Sequence, residues 1–402
     1  MFFVANVQAG FGPFINAYLT SVAWTQVEIG IVLSISSLVA LAGTMPGGAL
    51  VDAVRSERLV AAISVAVIGA TALMLALWPI YVAVLGALVL HSAASCVLGP
   101  AMAAISLGLV GHANLSGRLG RNVRFAAIGN AVAAIAMGAC GYFSDRAVFF
   151  VTAILLVPAL VALAYIRTAE IDPERAHGGQ PEQPPQRPLS SLLVAARLRP
   201  LVIFCMSFML FQLANAAMFP LMGGLLTMRS GHWAWVLIAA GIVVPQLVVA
   251  AIAPWIARRA EIVGRRPLLA LGFVVLPIRG VLFAVVHDPN VLVIAQLLDG
   301  ISGAVFGVLV PLVVADVTRG TGHFNLALGI VGASVGIGAT LSTTLAGYVS
   351  DHLGSNTAFL VLAAIAAAGL LSISVLMPET RPKDQAPPPA DDDPPARGVV
   401  PA

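Results

Sequence analysis

The chain alternates long apolar runs with short polar breaks from its first residue nearly to its last. Runs close to membrane-spanning length, about 20 residues, cover residues 2–21, 29–51, 59–77, 80–110, 124–143, 148–166, 200–227, 235–257, 268–286, 291–315, 327–350 and 357–377. Twelve predicted spans follow. Barrel strands would take only about ten residues each, with strict in-and-out alternation. The fold class is therefore an all-α membrane protein with twelve transmembrane helices. Composition agrees: 59% of residues are hydrophobic and 10% charged, and mean hydropathy is +0.97, whereas soluble domains are about a quarter charged.

The breaks carry the next signal. Short cytoplasmic loops retain positive residues. With both termini inside, the cytoplasmic segments hold Arg55, Arg58, Arg118, Arg121, Arg124, Arg167, Arg175, Arg187, Arg197, Arg199, Arg258, Arg259, Arg265, Arg266, Arg319, Arg381, Lys383 and Arg397. The outer loops hold only Arg146 and Arg229, and Arg279, inside a span, completes the 21 basic residues. An odd number of spans would mix the two groups, so the bias also supports twelve. Localisation in the cytoplasmic (inner) membrane is expected. The net charge of +3 does not mark a nucleic-acid binder, because the basic residues are scattered through loops and form no basic arm. No nucleic-acid partner is expected.

Residues 167–199, rich in Pro, Gln and charge, read as a flexible cytoplasmic linker. They divide the chain into bundles at 1–166 and 200–377, followed by a disordered tail at 378–402. The apolar start lacks the basic region of a signal peptide and is short on its cytoplasmic side, so the native start is expected upstream of Met1. Cys96, Cys140 and Cys205 lie far apart in apolar runs, without metal-type spacing. No metal or other cofactor is expected.

The halves repeat one another. GYFSD at Gly141–Asp145 and GYVSD at Gly347–Asp351 close the fifth and eleventh spans, and Pro13 matches Pro220 at nearly the same offset. Between spans two and three runs PGGALVDAVRSER (Pro46–Arg58), and between spans eight and nine PWIARRAEIVGRR (Pro254–Arg266). These loops resemble the signature of the major facilitator superfamily, a glycine and an acidic residue followed by a Gly-Arg-Arg/Lys cluster. The second copy has Glu261, Gly264, Arg265 and Arg266 in place. The first keeps Gly48 and Asp52 but has Ala53, Arg55 and Glu57 where the family has arginine, glycine and a basic residue. The resemblance implies two pseudo-symmetric six-helix bundles. It also implies that Asp52, with Arg55 and Arg58 nearby, latches the halves in an outward-facing state through charge-assisted hydrogen bonds and a helix dipole. Alternatively, the arginines only fix topology.

A charge at mid-bilayer costs about 2.5–3.5 kcal/mol on insertion scales, so each one present needs a reason. Arg279 in span nine and Asp299 in span ten sit at matching depth. Either they form a structural ion pair, or Asp299 faces the cavity alone as a coupling site. His91 in span four is pseudo-equivalent to Asp299 and titrates near neutrality, so it is the second proton-coupling candidate; a buried structural histidine is the alternative. The family resemblance places spans one, four, seven and ten around the cavity. Asn6, Gln8 and Asn16 in span one, Gln212 and Asn215 in span seven, and Arg279 are therefore substrate-cavity candidates. Gln246, Gln296 and Asn130 are similar amides within spans, open to either a helix partner or a ligand. Gly329, Gly332, Gly336 and Gly338 read as close helix packing.

No nucleophile and base pairing or phosphate loop stands out, so an enzyme is not expected. The reading is a monomeric secondary transporter of a small organic solute, by alternating access and coupled to protons. Efflux is preferred over uptake or uniport of a neutral metabolite, and a non-transporting sensor is the third possibility. Span five lacks the Gly-Pro of the family's drug/proton antiporters, which counts against multidrug antiport.

Overall fold

The computed structural model describes residues 1–381, except 10–14, 16–17, 20–21, 23, 25, 55, 145, 177–198 and 231–233. Asn16, Arg55 and tail residues 382–402 thus lie outside the described residues. The long helices of the first half are α1 (Phe2–Ala9), α2 (Gln26–Ala53), α3 (Glu57–Leu77), α4 (Tyr81–Val110), α5 (Leu115–Phe143) and α6 (Ala147–Ala164). A short α7 (Pro173–Ala176) follows. The second half contains α8 (Arg199–Asn215), α9 (Met218–Ser230), α10 (Ala234–Val263), α11 (Arg265–Val285), α12 (Pro289–Ala295), α13 (Leu297–Val317), α14 (Phe324–Leu353) and α15 (Ser355–Leu376). No strand occurs among the described residues. Among the described residues, ten helical stretches are long and apolar enough to cross a membrane. The 29-residue α5, and α1 with the partly described residues after it, occupy the other two predicted spans.

Two predicted spans are broken helices. Span seven divides at Ala216–Ala217, where the Ala217 amide donates to Ser342 Oγ of α14 at 3.0 Å. Span ten divides at Gln296, which closes α12 and opens α13. Such interruptions persist inside a bilayer only where neighbouring groups take up the released backbone bonds.

Each half repeats one pairing scheme. Helix α2 packs on α4, α1 on α5 and α6, and α3 on α6; correspondingly, α10 packs on α13, α8 on α14 and α15, and α11 on α15. Between the halves the main contacts are α5 with α10 and α2 with α14, pairs that the repeat exchanges. One apolar core draws on residues from Val4 to Ala176, and the other mainly on Leu201 to Met377. In the second core, Phe208, Phe211, Phe273 and Phe306 meet largely edge to face, the geometry that aromatic quadrupoles favour.

The segment expected to be a flexible linker from residue 167 is folded through Ala176. Ile171 and Ala176 are buried against α4, where a Cβ on Gly108 would lie 2.8 Å from Ile171 Cγ2. Arg58 Nη1 donates to the Ile166 carbonyl at 2.8 Å, and Asp172 accepts from the Arg175 amide at 3.2 Å. Two apolar side chains and an acidic turn residue suffice to dock this stretch. The tail expected to be disordered from residue 378 is likewise ordered through Arg381, because Glu379 has backbone partners described below.

Candidate functional site

The halves meet most closely at the arginine-rich end. Asp52, in the last turn of α2, accepts from the Asn325 amide at 3.2 Å, Asn325 Nδ2 at 2.7 Å and the Leu326 amide at 2.8 Å. Its carboxylate therefore caps the N-terminus of α14 from the opposite half. The first amides of a helix lack intrahelical acceptors and carry the positive end of its dipole, so the carboxylate answers both needs. Gly48 makes the approach possible: a Cβ there would collide with the Asn325 carbonyl and lie 3.3 Å from Leu326 Cα. One turn further in, a Cβ on Gly329 would lie 2.5 Å from the Thr44 carbonyl. On the other seam a Cβ on Gly120 of α5 would lie 2.5 Å from Ala257 Cβ of α10. Glycine and alanine thus bring backbones of both seams together, as at other membrane helix interfaces. A Gly48→Val variant is expected to hold this end apart, read as faster maleimide labelling of a cysteine placed at Ala53.

Of the arginines expected beside Asp52, Arg58 turns instead to the carbonyl after α6. The pseudo-equivalent loop is organised differently. Gly264, at φ 100°, precedes α11, and Glu379 Oε1 and Oε2 accept from the amides of Arg265 and Arg266 at 2.8 and 3.1 Å. A Cβ on Gly264 would lie 2.5 Å from Glu379 Oε2. The buried Arg265 side chain pairs with Glu261 at 3.1 Å and Asp316 at 3.0 Å, and Arg266 reaches the Ser374 carbonyl. This copy ties its own half together, whereas Asp52 joins the two halves.

His112, in the 3-10 turn His112–Asn114, faces the Ala315 backbone and Arg319 across the seam. Burial, and then the Arg319 charge, lower its pKa below 6.5, opposed by the hydrogen bond at Ala315. Burial likewise lowers the pKa of His323, which precedes α14. A lowered pKa means that the closed state favours neutral imidazole, a contribution present above the ordinary value of 6.5 and lost as pH falls through the lowered values. Acidification from about pH 7 to pH 5 is therefore expected to loosen this end. His112→Gln should blunt the response when separation of the halves is followed by spin-label distances.

Arg279 is the centre of a second polar cluster. It pairs with Asp299, donates to Asn215 Oδ1, and lies 3.3 Å from Gln296 Oε1 and 3.6 Å from Met218 Sδ. Asn215 in turn donates to Gln212 at 3.2 Å. The two helix breaks explain the position. Asn215 ends α8 and Gln296 stands between α12 and α13, so the two breaks bring both amides to the guanidinium beside the Asp299 carboxylate. Of the two arrangements open at the outset, the ion pair is the one present.

The cavity is separate from this cluster. It has a volume of about 790 Å3 and lies between the halves, directly beyond the clasp. Its walls come from α1, α2, α4, α5, α13 and α14. Gln8 and His91 line it, but Asn6, Gln212, Asn215, Arg279 and Asp299 are not among its lining residues. Asn6 is buried against Gly129 and donates to the Phe2 carbonyl at 2.8 Å. Span seven contributes no lining residue among those described, because α8 is packed on α14 and α15 and its amides face Arg279. Span two instead contributes Ser37, Ala40, Leu41 and Thr44, and span eleven Leu328, Gly332, Val335, Gly336, Ala339 and Thr340.

These features define a two-bundle membrane protein with a chamber of ligand size on its dividing plane. The family model of the Major Facilitator Superfamily matches residues 1–259 and 234–401, and the chain belongs to that superfamily; it is a membrane transporter. It is 39% identical over 389 residues to the uncharacterized MFS-type transporters MT2531 and Rv2456c of two Mycobacterium tuberculosis strains, covering 94% of this chain and 91% of each relative. Among solved structures, it is similar to a variant of the E. coli fucose:proton symporter FucP (TM-score 0.74, 14% identity, 92% of this chain and 95% of that one). The human organic anion transporter MFSD10 is similar at TM-score 0.68 and 14% identity, over 92% of this chain and 97% of that one. At that identity the likeness concerns the fold.

Proposed function

We propose that this transporter exports a small organic solute across the cytoplasmic membrane by alternating access, driven by protons, with its arginine-rich end and both termini in the cytoplasm. The observation that carries the reading is the inter-half clasp at Asp52 beneath a chamber shared by both halves. Two bundles, 1–166 and 200–377, whose main contacts among the described residues are two glycine-lined seams, can rock about the chamber. The clasp stabilises the state closed to the cytoplasm. The transporter works as a monomer, since chamber and clasp lie within one chain.

His91 is the proton carrier. Its imidazole lines the chamber, and imidazole is the side chain best suited to pass a proton between partners. Asp299 serves structure instead, since it is paired with Arg279 and does not line the chamber.

The test is proton movement in proteoliposomes with an imposed pH gradient, read by an internal dye while a solute library is added. Wild type should show a solute-dependent pH change that His91→Ala abolishes and Asp299→Asn, where it folds, retains in sign. Solute flux without a pH change, equal in all three proteins, would refute coupling and leave a uniporter. The scarcity of ionisable groups around the chamber favours that second reading over an ion-driven symporter of another kind.

A further inference from the structure

We infer that the chamber selects an uncharged amphiphile with a short hydrogen-bonding edge, and rejects organic cations, organic anions and polyhydroxylated sugars. The inference rests on the transport reading above and narrows it to a substrate class.

Charge is the first argument. No Asp, Glu, Lys or Arg is among the described lining residues, and residues 10–25, partly undescribed, contain no charged residue either. The nearest membrane acids on either side are committed, Asp52 to the α14 N-terminus and Asp299 to Arg279. With His91 neutral, an ammonium or sulfonate entering the chamber would lose its water without meeting an opposite side-chain charge, which is strongly unfavourable.

The second argument is how few hydrogen-bonding groups remain for a ligand. Ser92 Oγ is 2.7 Å from Ser36 Oγ, and Cys96 Sγ and Thr44 Oγ1 both donate to the Ala40 carbonyl, at 3.2 and 2.6 Å. Asn122 donates to Ser106 at 2.8 Å, and Ser106 donates to the Met102 carbonyl at 2.8 Å. The protein has therefore used most of its own polar lining. Ser95 Oγ, by contrast, is enclosed and has no hydrogen-bond partner among the described residues, and Gln8 and Ser37 are exposed. These three lie on α4, α1 and α2, all in the first half.

The third argument is the facing wall. Along α14, Leu328, Gly332, Val335, Gly336 and Ala339 line the chamber at spacings of three, four and seven residues. With Thr340, whose Oγ1 donates to the Gly336 carbonyl at 2.9 Å, they form one largely apolar helical stripe. A ligand held here has one edge that hydrogen-bonds to the first half and an apolar body against the second. A sugar would leave most of its hydroxyls without partners, and an unmatched buried polar group is penalised. The volume of about 790 Å3 suits a drug-sized molecule.

Cys96 lines the chamber and serves as the reporter. In nanodiscs, a Cys140→Ser, Cys205→Ala variant is alkylated with N-ethylmaleimide, and modification of Cys96 is timed by intact-mass spectrometry. The probes are decanamide, decyltrimethylammonium and decanesulfonate, which share one alkyl chain, and L-fucose. Decanamide is expected to slow modification about tenfold, the equivalent of one decade in occupancy, with the other three nearly without effect. Ser95→Ala should weaken the protection, and Val335→Trp, which fills the chamber, should remove it. Equal protection by either ionic probe or by fucose, or protection by none of the four, overturns the inference. An ionic solute that moves together with protons in the proteoliposome assay would overturn it too, while leaving the transport reading standing.

Discussion

Asp52→Ala is expected to shift the transporter from closed to open at its arginine-rich end by about two orders of magnitude. The carboxylate accepts two backbone amides and one side-chain amide from α14 across the dividing plane. Hydrogen bonds to a charged group contribute about 1.5–3 kcal/mol each, and they are not additive on one carboxylate. Losing the set by about 3 kcal/mol changes the ratio of the two states roughly a hundredfold. Spin labels on the exposed Leu59 and Ile262, one on each half, should report the change as a longer distance population. Asp52→Asn, which keeps an acceptor oxygen but no charge, should fall between. Asn325→Ala removes one of the three bonds and should have the smallest effect. An unchanged distance distribution in Asp52→Ala would show that the glycine seams alone hold the end closed.

The second large effect concerns the Arg279 cluster, where the two partners should not be equivalent. Breaking a buried ion pair by removing one partner costs about 3–5 kcal/mol, since the other charge is left stranded. A stranded carboxylate can take up a proton; a guanidinium cannot. Arg279 is also the more deeply enclosed of the two, with 3% of its side chain exposed against 37% for Asp299. Asp299→Leu should therefore lower the unfolding temperature more than Arg279→Met. The double variant should recover most of the loss, because replacing both partners with apolar groups of similar volume is close to neutral. Asn215→Leu should cost less than either single charge change. Fluorescence-detected thermal unfolding in detergent would rank the four proteins. A double variant as unstable as the worse single variant would mean that Arg279 stabilises chiefly through Asn215, Gln296 and its stacking on Phe283, whose ring centroid is 5.8 Å from the guanidinium carbon.

The contrast between His91 and Asp299 shows where symmetry stops guiding interpretation. Their positions correspond under the internal repeat, which suggested a matched pair facing one cavity. In the fold they have different neighbours: His91 lines the chamber, and Asp299 meets Arg279 on the adjacent helix. A repeat preserves helix packing, as the matching pairs in the two halves show, but each half has evolved its own polar contacts.

The spans, the helical class and the clustering of arginines at one end were legible in the sequence, because bilayer thickness and the cost of unsatisfied backbone groups restrict any chain that crosses a membrane. Gly48 and Asp52 stood out in the first loop motif, and Glu261, Gly264 and Arg265 in the second, since both motifs are local. Their partners did not stand out. Asn325 lies 273 residues from Asp52, and Glu379 lies 114 from Arg265; Asp316 reads in sequence as one more residue near a span end. The four amides and charges around Arg279 were visible as polar residues in apolar runs, but whether they turn toward a ligand or toward one another depends on helix rotation and on the breaks at Ala216–Ala217 and Gln296. Hydrophobic periodicity is weak in a bilayer, where lipid-facing and protein-facing sides are both apolar. The sequence by itself thus determined the helical class and the series of apolar spans with polar breaks between them. Only tertiary packing decided which polar groups satisfy each other and which were left to line the chamber.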